Sequence, residues 1–120
     1  MQLNDIDAYK IAFKLSNYVW DVVAEWDYFA KDTIGKQFVR ATDSISANIA
    51  EGFGRYTKKD KVRFNRIANG SIKESLDWNE KSKVRNIISD KNYGYVYNIL
   101  QQLPKKINQL IKYTNNVLKE

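Results

Sequence analysis

Between Asp5 and Trp26 the apolar residues Ala8, Ala12, Leu15, Val19, Val22 and Trp26 return at steps of four and three, with Tyr9, Phe13 and Trp20 widening the stripe. That period predicts a core-facing helix, and Asn4 or Asp5 supplies the residue type that caps a helix start. After a connection over Asp27 to Gly35, the residues Phe38, Ala41, Ile45 and Ile49 predict a second helix, which the glycines at 52 and 54 terminate. Thr57 is a capping residue for a third helix reaching about Ile88, along which Phe64, Ile67, Ala68, Ser71, Ser75, Trp78 and Ser82 recur on one side. Small residues dominate that stripe, and small residues let helices approach closely. Past the turn residues Ser89, Asp90, Lys91 and Asn92, the positions Val96, Leu100, Leu103, Ile107, Leu110, Thr114 and Val117 predict a fourth helix, kinked at Pro104. Strand-like alternation is absent. Four amphipathic helices with short connections bury their stripes most economically as one all-α domain over 1–120, an antiparallel up-down-up-down four-helix bundle. The apolar faces of the first two helices are wider than such a core needs. Trp20, Trp26 and Phe53 are therefore expected at the surface of a lone subunit and buried between subunits of a homo-oligomer.

The polar positions of the second helix repeat as regularly as its apolar ones. Arg40, Ser44, Asn48, Glu51 and Arg55 follow steps of four, four, three and four on an adjoining side, where an ordinary surface helix would carry Lys and Glu. Glu51 as a general base with Arg55 as an anion clamp is one reading, but no nucleophile, metal or cofactor motif surrounds them. The favoured reading joins these residues to Ser71 and Glu74 of the third helix in a hydrogen-bond network that fixes helix register and subunit orientation.

Composition narrows the chemistry. The 120 residues include no Cys and no His, which removes disulfides, thiolate metal sites, the usual imidazole ligands and bases, and the triads built on them. A non-enzymatic protein without cofactor or metal is the expectation. Asp5, Asp7, Asp21, Glu25 and Asp27 match no calcium-loop or di-iron spacing, and the glycines of GFGR lack the strand and the Gly-Lys-Ser/Thr continuation of a phosphate loop. No apolar run approaches the roughly 20 residues that span a bilayer, and the polar, acidic MQLNDIDAYK does not resemble a secretion signal. A cytoplasmic protein with no membrane partner is expected. Charge is unevenly divided: residues 1–51 hold five basic and eight acidic side chains and residues 52–120 fifteen and six, so the halves carry about −3 and +9 of the net +6. Such asymmetry points to an acidic partner for the second half, or to faces that meet on assembly.

The basic excess is densest in RYTKKDKVRFNR, where Arg55, Lys58, Lys59, Lys61, Arg63 and Arg66 oppose one acidic residue, with Tyr56 and Phe64 interleaved. Cations at a helix start oppose the macrodipole, so the cluster serves something other than local stability. Neutralising the phosphates of RNA or DNA is the functional reading; a solvated helix start kept soluble by charge is the plain one.

The arrangement GKQFVRATDSISANIAEGFGR, followed by RFNRIANGSIKE at Arg63 to Glu74, resembles the four-helix-bundle family encoded by open reading frames in intervening sequences of bacterial large-subunit ribosomal RNA, also labelled S23 ribosomal protein. The matching positions are Gln37, Arg40, Ala41, Ser44, Ile45, Asn48, Ile49, Ala50, Glu51, Gly52, Gly54 and Arg55, then Phe64, Ala68, Gly70, Ser71 and Glu74. The first helix, with AYKIAFKL, agrees more loosely, and the fourth only as an amphipathic pattern. The resemblance implies an antiparallel four-helix subunit in a homopentameric ring. A related branch, the accessory proteins of diversity-generating retroelements, are basic pentamers that bind a reverse transcriptase and nucleic acid. The leading expectation is thus an oligomeric bundle that contacts RNA or DNA. The alternative is a protein-binding scaffold that presents its ring to a reverse transcriptase or other protein partner.

Overall fold

Chain entry is fixed by a short 3-10 turn, Leu3–Asp5, in which the Asp5 carboxylate accepts from the Gln2 backbone N–H at 2.8 Å. The first α-helix begins only after it, so Asn4 and Asp5 stand before the helix and Ile6 occupies the cap position without a side-chain bond. The computed structural model describes residues 1–117, and its long helices are α1 (Asp7–Ala24), α2 (Lys36–Gly54), α3 (Lys58–Val84) and α4 (Asp90–Val117). No strand occurs among the described residues.

The expected connection over Asp27 to Gly35 is instead helical. Asp27 caps a single turn, Tyr28–Ala30, by accepting from the Ala30 N–H at 2.9 Å, and a π-helical turn, Lys31–Gly35, carries this turn directly into α2. Gly35 explains part of that geometry. A Cβ there would lie 2.7 Å from Val23 Cγ1, so only a bare backbone lets this turn pack so tightly on α1.

Each helix packs on two others, α1 on α2 and α4, α3 on α2 and α4, which closes a four-helix bundle. Cross-contacts give the directions: Lys61 at the start of α3 bonds to the end of α2, Lys58 reaches Asn115 near the end of α4, and Tyr18 late in α1 donates to Asn92 early in α4 at 2.6 Å. Neighbours therefore run antiparallel. A 28-residue helix is about 42 Å long, which accounts for the 49 Å long axis of a body only 22 by 21 Å across. Its core is Leu15 and Val19 of α1, Phe38, Ile45 and Ile49 of α2, Ala68 and Ile72 of α3, and Val96, Leu100, Leu103 and Ile107 of α4. Pro104 sits within an unbroken α4.

Two helix ends differ from expectation. Neither Gly52 nor Gly54 adopts a positive φ; α2 ends because Arg55 turns extended, and Gly52 is small because α3 crosses there, with the Lys61 carbonyl 3.1 Å from where a Cβ would be. The end of α3 comes earlier than Ile88: Asn86 takes φ 59°, and the Ile87 N–H reaches back to the Ser82 carbonyl at 2.9 Å. Ser89 belongs to the next helix, accepting from the Asn92 N–H at 3.1 Å. On α3 the buried set is Asn65, Ala68, Ser71, Ile72, Ser75, Asn79 and Ser82, so the buried face is rotated away from Phe64, Ile67 and Trp78.

Candidate nucleic-acid interface

Thr57 caps α3 as its sequence position predicts, its hydroxyl accepting from the Asp60 N–H at 3.2 Å. The cap brings the basic residues of the segment to one end of the bundle. There two guanidinium groups meet the Phe64 ring, Arg55 with its central carbon 4.6 Å from the ring centroid and Arg63 at 4.5 Å. Both arginines also touch carboxylates, Arg55 on Glu51 at 3.2 Å and Arg63 on Asp60 at 3.6 Å. These pairs are half exposed, so they orient the guanidinium groups more than they stabilise the fold.

The lysines divide by role. Lys61 donates to the Phe53 carbonyl at 2.9 Å and lies 3.5 Å from that of Gly52, so its ammonium satisfies the open carbonyls that end α2. Lys58 reaches the Asn115 carbonyl of α4 at 3.4 Å. Lys59 and Arg66 are exposed, form no ion pair among the described residues, and flank a shallow concavity of about 590 Å³ with Arg63 and Ile67. Tyr56, in the same segment, is 95% exposed.

Of the hydrogen-bond network expected between α2 and α3, only Ser44, Asn48 and Ser71 come together. Ser44 Oγ and Ser71 Oγ are 2.9 Å apart, and Asn48 Nδ2 donates to both the Ser44 carbonyl, at 2.8 Å, and its hydroxyl, at 2.9 Å. Arg40 and Glu74 are exposed and stand outside this seam; Glu74 accepts instead from Trp78 Nε1 at 3.4 Å. Glu51 is engaged by Arg55, as above, and faces solvent. Among the described residues no group of three carboxylates gathers as a metal site.

Other features escaped the sequence. Between α1 and α2 runs an open groove of about 830 Å³ lined by Trp20, Val23, Val39 and Ala47, with Lys36 and Arg40 beside it. Trp20 is 61% exposed, whereas Trp26 and Phe53 are half buried, so the surface expectation holds for the first and only partly for the others. Asp43 lines the same groove, and burial pushes its carboxyl above the usual range. On α3, Asn65 and Asn79 are buried; Asn79 Nδ2 donates to the Tyr93 carbonyl at 3.2 Å while the Oδ1 atoms of both side chains have no protein partner. Asn65, Ile72 and Asn79 share a seven-residue spacing, a signal masked by the amides at its ends. Tyr93 donates to Glu80 at 2.6 Å, and that bond, with burial and the negative charge, pushes its phenol up to about 12.

A family model described as 23S rRNA-intervening sequence protein matches residues 4–109. The fold is similar to the crystal structure of a protein with unknown function from the S23 ribosomal protein family of Bacteroides thetaiotaomicron, with TM-score 0.78, 20% identity, and coverage of 88% of this chain and 98% of that one. At that identity the likeness speaks for the fold. No curated protein matches the chain.

Proposed function

The chain belongs to the family of 23S rRNA-intervening sequence proteins, and from that membership we propose that it is a non-enzymatic, cytoplasmic, oligomeric bundle that binds RNA or DNA through its basic surface. The observation that carries this reading is the state of the cations at the α2–α3 end. Lys59 and Arg66 are exposed with no ion pair among the described residues, the Arg55 and Arg63 guanidinium groups rest against Phe64, and Tyr56 is exposed in the same segment. Pre-oriented guanidinium groups lose less freedom on meeting a phosphate, and each cation that does so releases a condensed counterion. No helix among the described residues is long and apolar enough to cross a membrane.

A homopentameric ring is the assembly we propose, with the Trp20 groove as subunit contact. The exposed indole beside an open apolar groove supports burial against another copy, and a ring would repeat the basic end around its axis, converting weak contacts into avidity. Retention on a mixed pool of single-stranded and duplex nucleic acid tests the proposal. Binding is expected at low salt, to weaken steeply toward physiological salt, and to be abolished by Lys59→Glu with Arg66→Glu. A wild-type protein that retains nothing even at low salt refutes it and leaves the protein-binding scaffold.

A further inference from the structure

The fourth helix carries one carboxylate, Asp90 at its first position; from Lys91 to Val117 its charged side chains are Lys91, Lys105, Lys106 and Lys112. Many of its other exposed positions are Asn and Gln, where a helix facing only water gains from pairing both signs of charge. Lys106 turns to Asp7 of α1 at 3.8 Å. Lys105 and Lys112 remain on the outer face, seven residues and so about 10 Å apart. On α3, Lys59, Arg66 and Lys73 are exposed at the same seven-residue spacing.

Two contacts set how the rows meet. Lys58 Nζ lies 3.4 Å from the Asn115 carbonyl, and Asn69 Nδ2 is 3.4 Å from Asn108 Oδ1. In this antiparallel register Lys112 falls level with the interval between Lys59 and Arg66, and Lys105 with the interval between Arg66 and Lys73. Five cations thus alternate between the helices over about 21 Å, the length of 14 helical residues. None of the five forms an ion pair among the described residues; on α3 Asp60 and Asp77 are held by Arg63 at 3.6 Å and Lys81 at 2.6 Å, and Glu74, next to Lys73 in the chain, accepts from Trp78 Nε1 at 3.4 Å. Gly70 lowers the surface between Arg66 and Lys73, with nothing within 4 Å of where its Cβ would be.

We propose that the outer face of α3 and α4 docks the phosphate backbone of a nucleic-acid duplex, with Lys105 and Lys112 binding beside Lys59, Arg66 and Lys73. The inference rests on the nucleic-acid reading above and extends the contact from one end of the bundle along its length. A duplex presents two backbones to two rows of cations. Single strands are held chiefly by stacking on aromatic rings, and this face has none between its rows: Tyr113 turns toward Met1 and Leu110, and Tyr97 lies two helical turns beyond Lys105. Contacts from these cations to phosphate oxygens carry no sequence information, so backbone docking on this face is expected to be indifferent to sequence.

Titration of the full chain with a labelled mixed-sequence duplex, as RNA and as DNA, and with the separated strand, across low to physiological salt, tests this. Lys105→Gln with Lys112→Gln is expected to weaken duplex binding and flatten the slope of log K against log salt by about 2, without moving the melting temperature. Lys10→Gln with Lys14→Gln, which removes equal charge from α1, is expected to leave the slope unchanged. A preference for RNA or for DNA supports the proposal and identifies the source of the backbone. If the α4 variant keeps the wild-type slope while Lys59→Glu with Arg66→Glu abolishes binding, this inference fails and the end-on reading stands. Equal loss in the α1 control, or single strands bound as tightly as duplex, also overturns it; absence of wild-type binding overturns both readings.

Discussion

A methyl group added at Gly52 meets the Lys61 carbonyl at 3.1 Å and Phe64 Cβ at 3.2 Å, both parts of a helix that cannot yield locally. Gly52→Ala is therefore expected to cost about 1–2 kcal/mol, overpacking outweighing the gain in helix propensity. Gly70→Ala gives the opposite sign. It sits inside α3 with negative φ and open space around it, so alanine is expected to stabilise by about 0.5–1 kcal/mol. Urea unfolding of the two variants separates a glycine kept for close approach from one that packing does not require. The sequence reads Gly52 as a helix terminator and places Gly70 inside a helix; only the crossing of α3 over α2 shows that Gly52 serves close approach.

Among the elements, the α2–α3 seam depends on small side chains. Ser71 is buried with its hydroxyl against Ser44, and Ser75 beneath it donates to the Ser71 carbonyl at 2.8 Å. Ser71→Leu forces these helices apart and is expected to destabilise by about 1–3 kcal/mol, read as a lower urea midpoint with an unchanged slope. The four helices were legible because Leu15, Phe38, Ile45, Leu100 and Ile107 keep a strict helical period. Their ends were less so. Asp27 to Gly35 contains the residues of a loop, yet Asp27 caps a turn and Gly35 permits a π-helical continuation against Val23, a tertiary reason that no local pattern carries. The candidate site was legible as a cluster, but the division of its cations was not. Lys61 reads like Lys59 in the sequence and differs only because the end of α2 presents bare carbonyls beside it.

For the whole molecule, Trp20→Ser tests the proposed assembly. The indole is mostly exposed in the single chain, so the change is expected to shift sizing or light scattering toward the monomer while leaving the monomer's helical circular dichroism intact. An unchanged oligomer would place the subunit contact elsewhere. The cyclic order of the helices sets the α1–α2 groove and the α3–α4 face on opposite sides of the rod, and the charge of the two halves follows the same division. The protein is in effect an electric dipole across its width. On the proposed function, the field of a polyanion would turn the protein before contact, so that first encounters present α3 and α4 and point Trp20 away. On that same reading, self-association through the Trp20 groove and polyanion capture by α3 and α4 would use different sides of the rod.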